Sequence, residues 1–321
     1  MIYFFLFVTA IALAYLLGPR TKVDIRVREP QLPTGQLAEL EAWIAREEAS
    51  SGEVIEGTEA TIRWHAGKQK TDYVVLYLHG FSASRQELSP VPESIADAFG
   101  ANSYFARFAG HGCGPEGQAN ATVNQWLNDS LESLRIAEQL GEKIILLGSS
   151  TGAAFATWLI FNYPEKFAAD VLFSPNFRVA QPGAEWLVRP WGKQILHAKF
   201  GRLRIRPSDS SEDKNRQKLW TGTYPTRSLL PMIAATRLAR ELDHSKITCP
   251  SMLVWSPLDQ VIHTDTTREV FDSFGSSERD ELVLVTQHDP RQHVLTGDIM
   301  APGNTQLTIE RVVGFLKSVL N

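Results

Sequence analysis

Cysteine is scarce in this chain, and the cysteines present form no familiar metal or disulfide pattern. The 321 residues include two, Cys113 and Cys249, and neither belongs to a C-x-x-C pair. An H-E-x-x-H motif is also absent. The sequence therefore gives no support for a zinc site or a disulfide-stapled scaffold, and we expect no metal.

Neither sign of charge is in large excess. The formal net charge is −4 and charged residues make up 21% of the chain, which argues against a basic nucleic-acid surface and against disorder. Hydrophobic residues make up 43%, enough for one large domain with an insertion. We expect no nucleic-acid partner, and the composition does not fix the oligomeric state.

The first 17 residues lack charge altogether. The apolar run from Met1 to Leu17 has no basic segment before it, and basic residues begin only at Arg20. A signal peptide normally carries a basic start, so a retained single-pass membrane anchor over 1–20 is favoured over a cleaved signal or a buried helix. The positive-inside rule would place the rest of the chain in the cytoplasm.

Strand and helix patterns alternate after this segment. Short apolar runs predict strands, and runs with helical spacing predict helices between them. Such alternation predicts an α/β fold, with a mostly parallel central sheet and helices on both faces. The expected strands cover 72–80, 102–110, 143–149, 170–175, 251–257 and 281–287, and three of the expected helices cover 122–141, 152–164 and 308–320.

One segment interrupts the alternation. Residues 176–246 contain no good strand pattern but hold Trp186, Trp191 and Trp220. We interpret this segment as an inserted helical cap over one end of the sheet. The expected organisation is an anchor at 1–20, a linker with an amphipathic helix capped by Thr34 at 21–55, core at 56–175, cap at 176–246 and core at 247–321.

The stretch "GSSTG" between an expected strand and an expected helix fits G-x-S-x-G in one register only, with Gly148, Ser150 and Gly152. In a nucleophile elbow the serine sits on a sharp turn, and side chains two residues away would clash. Ser150 is therefore the candidate nucleophile rather than Ser149. An ordinary Gly/Ser turn is the alternative.

A serine nucleophile needs a base and an acid that orients the base. In this type of fold they follow in the order serine, acid, histidine. Asp259 comes just after the expected strand at 251–257, and His288 and His293 both follow the strand at 281–287. We favour His293 as the base and keep His288 as the alternative. The backbone N–H groups of Phe81 and Thr151 are the candidate oxyanion donors, whereas His79 is expected to be structural.

A second glycine motif points elsewhere. Residues 112–117 satisfy G-x-G-x-x-G, which in a dinucleotide site would open a helix. Pro115 and the polar residues after it predict a loop instead. We therefore expect no dinucleotide, and no other cofactor.

Residues 72–320 resemble the α/β-hydrolases, near the monoacylglycerol lipase, carboxylesterase and serine aminopeptidase branch. The resemblance is carried by "LHGF" (78–81), "FAGHGCGPE" (108–116), "GSSTG" (148–152), "VWSPLDQVI" (254–262) and "QHVLTGD" (292–298). It implies Ser150 as nucleophile, Asp259 as acid and His293 as base, with Phe81 and Thr151 as donors. Thr151 and Ala109 depart from the family pattern and leave specificity open.

These features predict a serine hydrolase that cleaves small carboxylic esters of acyl-lipid type. Peptide or amide cleavage, acyl transfer to another acceptor, and a non-catalytic binding protein on the same fold are the alternatives. In the cap, the three tryptophans together with Met232, Ile233 and Leu238 are expected either to form an acyl-binding wall or only to pack the cap. Trp220 and Met232 are the chosen substrate-binding candidates.

Overall fold

A seven-stranded sheet forms the centre of the protein in a computed structural model, which describes residues 1–21, 23–205 and 218–320. Strand β1 is antiparallel to β3 and all the other pairs are parallel, in the order β1-β3-β2-β4-β5-β8-β9. The strands are β1 (Thr61–Arg63), β2 (Thr71–Leu78), β3 (Asn102–Phe105), β4 (Gly141–Ser149), β5 (Phe167–Phe173), β8 (Ser251–Trp255) and β9 (Arg279–Val283), with β6 (Leu203–Ile205) and β7 (Thr223–Pro225) as a separate antiparallel pair.

The apolar runs of the central strands bury both faces of the sheet. In β2, Leu76 and Leu78 pack into one core, while Val75 and Tyr77 point into the other. Successive side chains of a strand alternate between faces, so a strand buried on both faces needs a continuous apolar run. This is the pattern that the sequence shows at 72–80.

Helices cover the two faces and complete the two cores. Helices α5 and α6 pack with the core that contains Leu76, and α3 and α10 pack with the core that contains Val75. The helices are α1 (Ile2–Leu16), α2 (Leu37–Ser50), α3 (Val91–Ala98), α4 (Gly114–Asn120), α5 (Val123–Leu140), α6 (Thr151–Asn162), α7 (Gly192–Phe200), α8 (Leu229–Arg240), α9 (Thr264–Asp272) and α10 (Pro302–Leu320). The mostly parallel α/β architecture is confirmed.

The chain between β5 and β8 contains α7, the β6–β7 pair, α8 and short 3-10 turns. Residues 206–217 of the expected cap lie outside the described residues. The antiparallel β6–β7 pair was not expected, because three-residue strands are too short to show a periodic pattern.

The expected membrane-spanning anchor is not supported. Residues 1–20 do contain an apolar helix, α1, and its side chains are not buried. Its 15 residues rise only about 22 Å, against a hydrocarbon layer of about 30 Å. In the part of the chain that the structure describes, no helix is both long and apolar enough to cross a membrane. The cytoplasmic placement drawn from the anchor loses its basis with it.

Helices α5 and α2 begin differently. Thr122 and Gln125 form a capping box at the start of α5: the Gln125 N–H donates to Thr122 Oγ1 at 3.2 Å, and the Thr122 N–H donates to Gln125 Oε1 at 3.0 Å. The expected cap at Thr34 is wrong, since α2 starts after Gln36 without a side-chain cap.

The loop expected at Pro115 is instead the seven-residue helix α4. Gly110, before this helix, and Gly117, within it, are packed closely against their neighbours. A Cβ on Gly110 would lie 2.4 Å from the Gly117 carbonyl oxygen, and one on Gly117 would lie 2.6 Å from Cys113 Cβ. Close packing therefore explains these two glycines without a ligand.

Removal of residues 1–17 should leave the free energy of unfolding within about 0.5 kcal/mol of that of the full chain, because α1 buries no side chain. Leu40→Ala is the comparison, because Leu40 of α2 is fully buried. It should cost about 2–5 kcal/mol. Urea denaturation of both variants in the same detergent checks this, and a loss in the truncated chain as large as that of Leu40→Ala would show that α1 packs into the fold.

Candidate active site

Ser150 lies on a sharp turn between β4 and α6. Its backbone has φ 51° and ψ −116°, a strained conformation for a residue with a side chain. A Cβ on Gly148 would lie 2.7 Å from Ala153 Cα, and one on Gly152 would lie 2.2 Å from the Leu78 carbonyl oxygen. Both glycines are therefore required for the close packing of the strand and the helix around this serine.

The structure brings Ser150, His293 and Asp259 together at the carboxyl edge of the sheet. His293 Nε2 lies 2.9 Å from Ser150 Oγ, and His293 Nδ1 lies 2.7 Å from Asp259 Oδ2. The Asp259 Oδ1 atom accepts from the backbone N–H groups of Val261 and Ile262 at 2.7 and 3.2 Å. These contacts hold the carboxylate in place and leave one oxygen for the imidazole. His288 is exposed and takes no part in this arrangement.

The loop that carries His293 is fixed by a second carboxylate. Asp289 is fully buried, and its Oδ2 accepts from the backbone N–H groups of His293 and Val294 at 3.2 and 3.0 Å. The His293 carbonyl accepts from Ser174 Oγ at 2.7 Å. Both backbone groups of His293, its N–H and its carbonyl, are therefore hydrogen-bonded, and these bonds position the imidazole.

Charge also sets the proton affinity of His293. Burial would lower the pKa of this imidazole, but the Asp259 carboxylate, with Glu87 and Asp289 behind it, outweighs burial and raises the pKa above 6.5. A histidine held in this way readily accepts a proton from a neighbouring hydroxyl.

Two backbone N–H groups flank the serine at the ends of β2 and β4. Thr151 is the first residue of α6, and Phe81 follows β2 with its ring packed against those of His111, Trp126 and Tyr224. Within the described residues, neither the Phe81 nor the Thr151 N–H donates to a protein acceptor. Both residues line the cavity beside Ser150.

His79 forms hydrogen bonds on both sides of its ring that hold the loop before Phe81. Its Nε2 accepts from the Phe108 N–H at 3.3 Å, so its Nδ1 carries the proton and donates to the Gly80 carbonyl at 2.9 Å. Burial lowers the pKa of this ring to about 4, so His79 is neutral. It acts within the scaffold, as the sequence suggested.

Sequence reasoning missed one residue of the site. Glu87 lines the same cavity as Ser150 and is only 3% exposed. Its Oε2 accepts from the Gly80 N–H at 2.8 Å and from the Tyr77 hydroxyl at 3.1 Å. Nothing in the local sequence distinguishes this glutamate from a surface residue, because its partners become neighbours only after the loop folds back.

A cavity of about 700 Å³ opens above Ser150 between the sheet and the segment 176–246. Trp220, Met232 and Ile233 are buried in its wall. Trp186 and Trp191 do not form the acyl-binding wall expected of them, because neither lines the cavity. They are 58% and 40% exposed, and the Trp191 Nε1–H donates to the Ala14 carbonyl of α1. Leu238 packs against the core and does not line the cavity.

A mostly parallel sheet with a serine on a strained strand-to-helix turn defines an α/β-hydrolase. The family comparison agrees and covers more than half of the chain: residues 69–287 match the serine aminopeptidase S33 family (Hydrolase_4). The chain belongs to this family, and the resemblance drawn from its motifs is confirmed.

Solved structures share the fold at low sequence identity. One belongs to the work on LipS and LipT, two metagenome-derived lipolytic enzymes, with TM-score 0.68 and 21% identity over 83% of this chain and 100% of that one. The monoacylglycerol lipase of Paleococcus ferrophilus has TM-score 0.59 and 15% identity over 83% and 99%. A soluble variant of monoglyceride lipase from Saccharomyces cerevisiae has TM-score 0.56 and 13% identity over 94% and 98%. No curated protein matches the sequence.

Asp259→Asn should lower the pKa of His293 by about 1 unit or more, because it removes the nearest negative charge from the imidazole. NMR titration of the histidine ring signals measures this shift. Asp272→Asn removes an exposed carboxylate of α9 and should leave the pKa of His293 unchanged. An equal pKa in the wild-type chain and in Asp259→Asn would contradict the charge balance described for this site.

Proposed function

We propose that this chain is a serine hydrolase that cleaves carboxylic esters of acyl-lipid type through an acyl-enzyme on Ser150. The observation that carries the proposal is the hydrogen-bonded series of Ser150, His293 and Asp259 at the floor of a cavity with apolar walls. The shared fold of the lipolytic enzymes and monoacylglycerol lipases supports it.

The proposed acylation step uses the contacts in the site. Ser150 Oγ attacks the ester carbonyl carbon while His293 Nε2, 2.9 Å away, takes the hydroxyl proton. Asp259 stabilises the resulting imidazolium through Nδ1. The Phe81 and Thr151 N–H groups donate to the carbonyl oxygen as it becomes an oxyanion. The carbon–oxygen bond to the alcohol then breaks, and the alcohol leaves with the proton from His293.

Deacylation repeats these steps with water. His293 Nε2 takes a proton from a water molecule, which attacks the acyl carbon. The second oxyanion is held by the same two N–H groups, and Ser150 Oγ regains its proton as the carboxylic acid departs. Metal ions and organic cofactors play no part in this scheme.

The lining of the cavity favours an acyl ester over a peptide. Trp220, Met232, Ile233, Leu187 and Leu196 give the wall apolar surface that suits an acyl chain. The family description names a serine aminopeptidase, so cleavage of an aminoacyl amide is the second candidate. Aminoacyl p-nitroanilides test it directly, and faster cleavage of these amides than of any ester would reverse the order of the two candidates.

Ser150→Ala should abolish p-nitrophenyl butyrate hydrolysis and fluorophosphonate labelling, because it removes the attacking oxygen. Ser149→Ala is the matched control: Ser149 ends β4, and its hydroxyl forms no hydrogen bond to His293. Steady-state rates and gel fluorescence measure the two effects, and circular dichroism checks the fold. Labelling that persists in Ser150→Ala, or is lost in Ser149→Ala, would contradict the proposal.

Trp220→Ala should lower kcat/KM more for long than for short p-nitrophenyl esters, because Trp220 supplies part of the apolar cavity wall. The expected difference between octanoate and acetate is about tenfold, since lost apolar contact of this size is worth roughly 1–3 kcal/mol. Trp186→Ala, which changes an exposed tryptophan outside the cavity, should leave the ratio unchanged. An equal loss on every chain length in Trp220→Ala would show that this residue does not read the acyl chain.

A further inference from the structure

A buried carboxylate beside a nucleophilic serine needs a physical reason, because charge is costly to bury without partners. Glu87 is only 3% exposed to solvent. Among the described residues, neither a lysine nor an arginine pairs with its carboxylate. Its partners are a backbone N–H and a tyrosine hydroxyl, both of which donate to Oε2. Burial raises the pKa of Tyr77 well above 10, so this phenol keeps its proton and donates.

The Glu87 carboxylate lies against the peptide that precedes the Phe81 N–H. A Cβ on Gly80 would lie 2.9 Å from Glu87 Oε1 and 3.1 Å from Ser150 Cβ. The carboxylate and the serine therefore flank the same glycine. The hydrogen bond from the Gly80 N–H fixes the peptide between His79 and Gly80, which is one peptide before the Phe81 N–H.

The same segment also supports the loop that carries His293. A Cβ on Gly297 would lie 2.9 Å from the Glu87 carbonyl oxygen and 3.0 Å from Leu88 Cα, and the Asp298 N–H donates to the Ser89 carbonyl at 2.9 Å. Residues 87–89 thus contact both the loop after β2, through the Glu87 side chain, and the loop that carries His293, through backbone atoms.

We propose that Glu87 is a positioning residue: its carboxylate holds the Gly80 amide so that the Phe81 N–H faces the reacting carbonyl, and its negative charge stabilises the imidazolium form of His293. The inference rests on the proposed function of the site. Glu87 touches neither the serine oxygen nor the imidazole through a hydrogen bond, so its effect passes through these two neighbours.

The charge effect has a defined sign. His293 faces Asp259 from the loop after β8, Asp289 and Arg291 from its own loop, and Glu87 from the loop after β2. Three of these groups are carboxylates, and Glu87 acts in the same direction as Asp259 on the proton affinity of the ring. Loss of the Glu87 charge alone therefore lets His293 give up its proton at a lower pH.

Two substitutions separate the two effects. Glu87→Gln keeps a side-chain oxygen that accepts from Gly80 but removes the charge. It should keep kcat for p-nitrophenyl butyrate within about fivefold while the acid limb of kcat/KM moves down by about half a pH unit or more. Glu87→Ala removes the acceptor as well and should lower kcat by about 10- to 100-fold with little change in KM.

Glu165→Gln is the control, because Glu165 is exposed and lies outside the cavity. It should change neither kcat nor the acid limb. The positioning role is overturned if Glu87→Gln loses as much activity as Glu87→Ala, if its acid limb stays in place, or if Glu87→Ala is fully active. Melting temperatures identify a variant that fails to fold, and the Glu87→Gln comparison then decides alone.

NMR titration of His293 makes the test independent of turnover. The pKa of His293 should fall in Glu87→Gln and stay unchanged in Glu165→Gln. A wild-type chain that hydrolyses no ester would overturn the proposed function, while the role of Glu87 would still be decided by this shift. An unchanged His293 pKa in Glu87→Gln would overturn the charge effect even if the wild-type chain is an efficient esterase.

Discussion

The strained turn at Ser150 is the constraint on which the rest of the site depends. A positive φ at a residue with a side chain is unfavourable by roughly 1–3 kcal/mol and persists only when the surroundings fix it. The Ser150 N–H donates to the Phe173 carbonyl at 2.8 Å, and the Ser150 carbonyl accepts from the Asn176 N–H at 3.0 Å. Strand β5 therefore holds the turn from one side, while the packing of Gly152 against β2 holds it from the other.

This constraint explains why the site gathers at one edge of the sheet. The turn projects Ser150 Oγ beyond the ends of the parallel strands, and β8 and β9 deliver Asp259 and His293 to the same edge. Carboxylates then converge on the imidazole from three loops, so the proton affinity of His293 reflects the whole edge of the sheet. The order of the strands in the sheet therefore determines which charged groups surround His293.

The sequence predicted those parts of the site that depend on short-range patterns. The spacing of Gly148 and Gly152 selected Ser150 over Ser149, and apolar runs located the strands after which Asp259 and His293 lie. The antiparallel edge strand β1 was missed, because three residues carry too little periodicity. The length of an apolar run did not fix the length of its helix, which is why the spanning anchor expected at 1–20 is not supported.

Contacts that form only when a loop or segment folds could not be predicted in the same way. Glu87 reaches Gly80 because the loop between them folds back on itself, and the sequence around position 87 does not predict this hydrogen bond. Trp186 and Trp220 are equally apolar in the sequence, yet one is exposed and the other lines the cavity. Such differences depend on how the segment between β5 and β8 packs, which local patterns do not encode.

The covalent intermediate tests the central claim most directly. Rapid acid quenching of the wild-type chain during p-nitrophenyl butyrate turnover, followed by peptide mass mapping, locates any acyl group carried by the protein. We predict that the butyryl group carried by the chain is on Ser150. A butyryl group on any other residue, or turnover that persists in Ser150→Ala, would contradict the account.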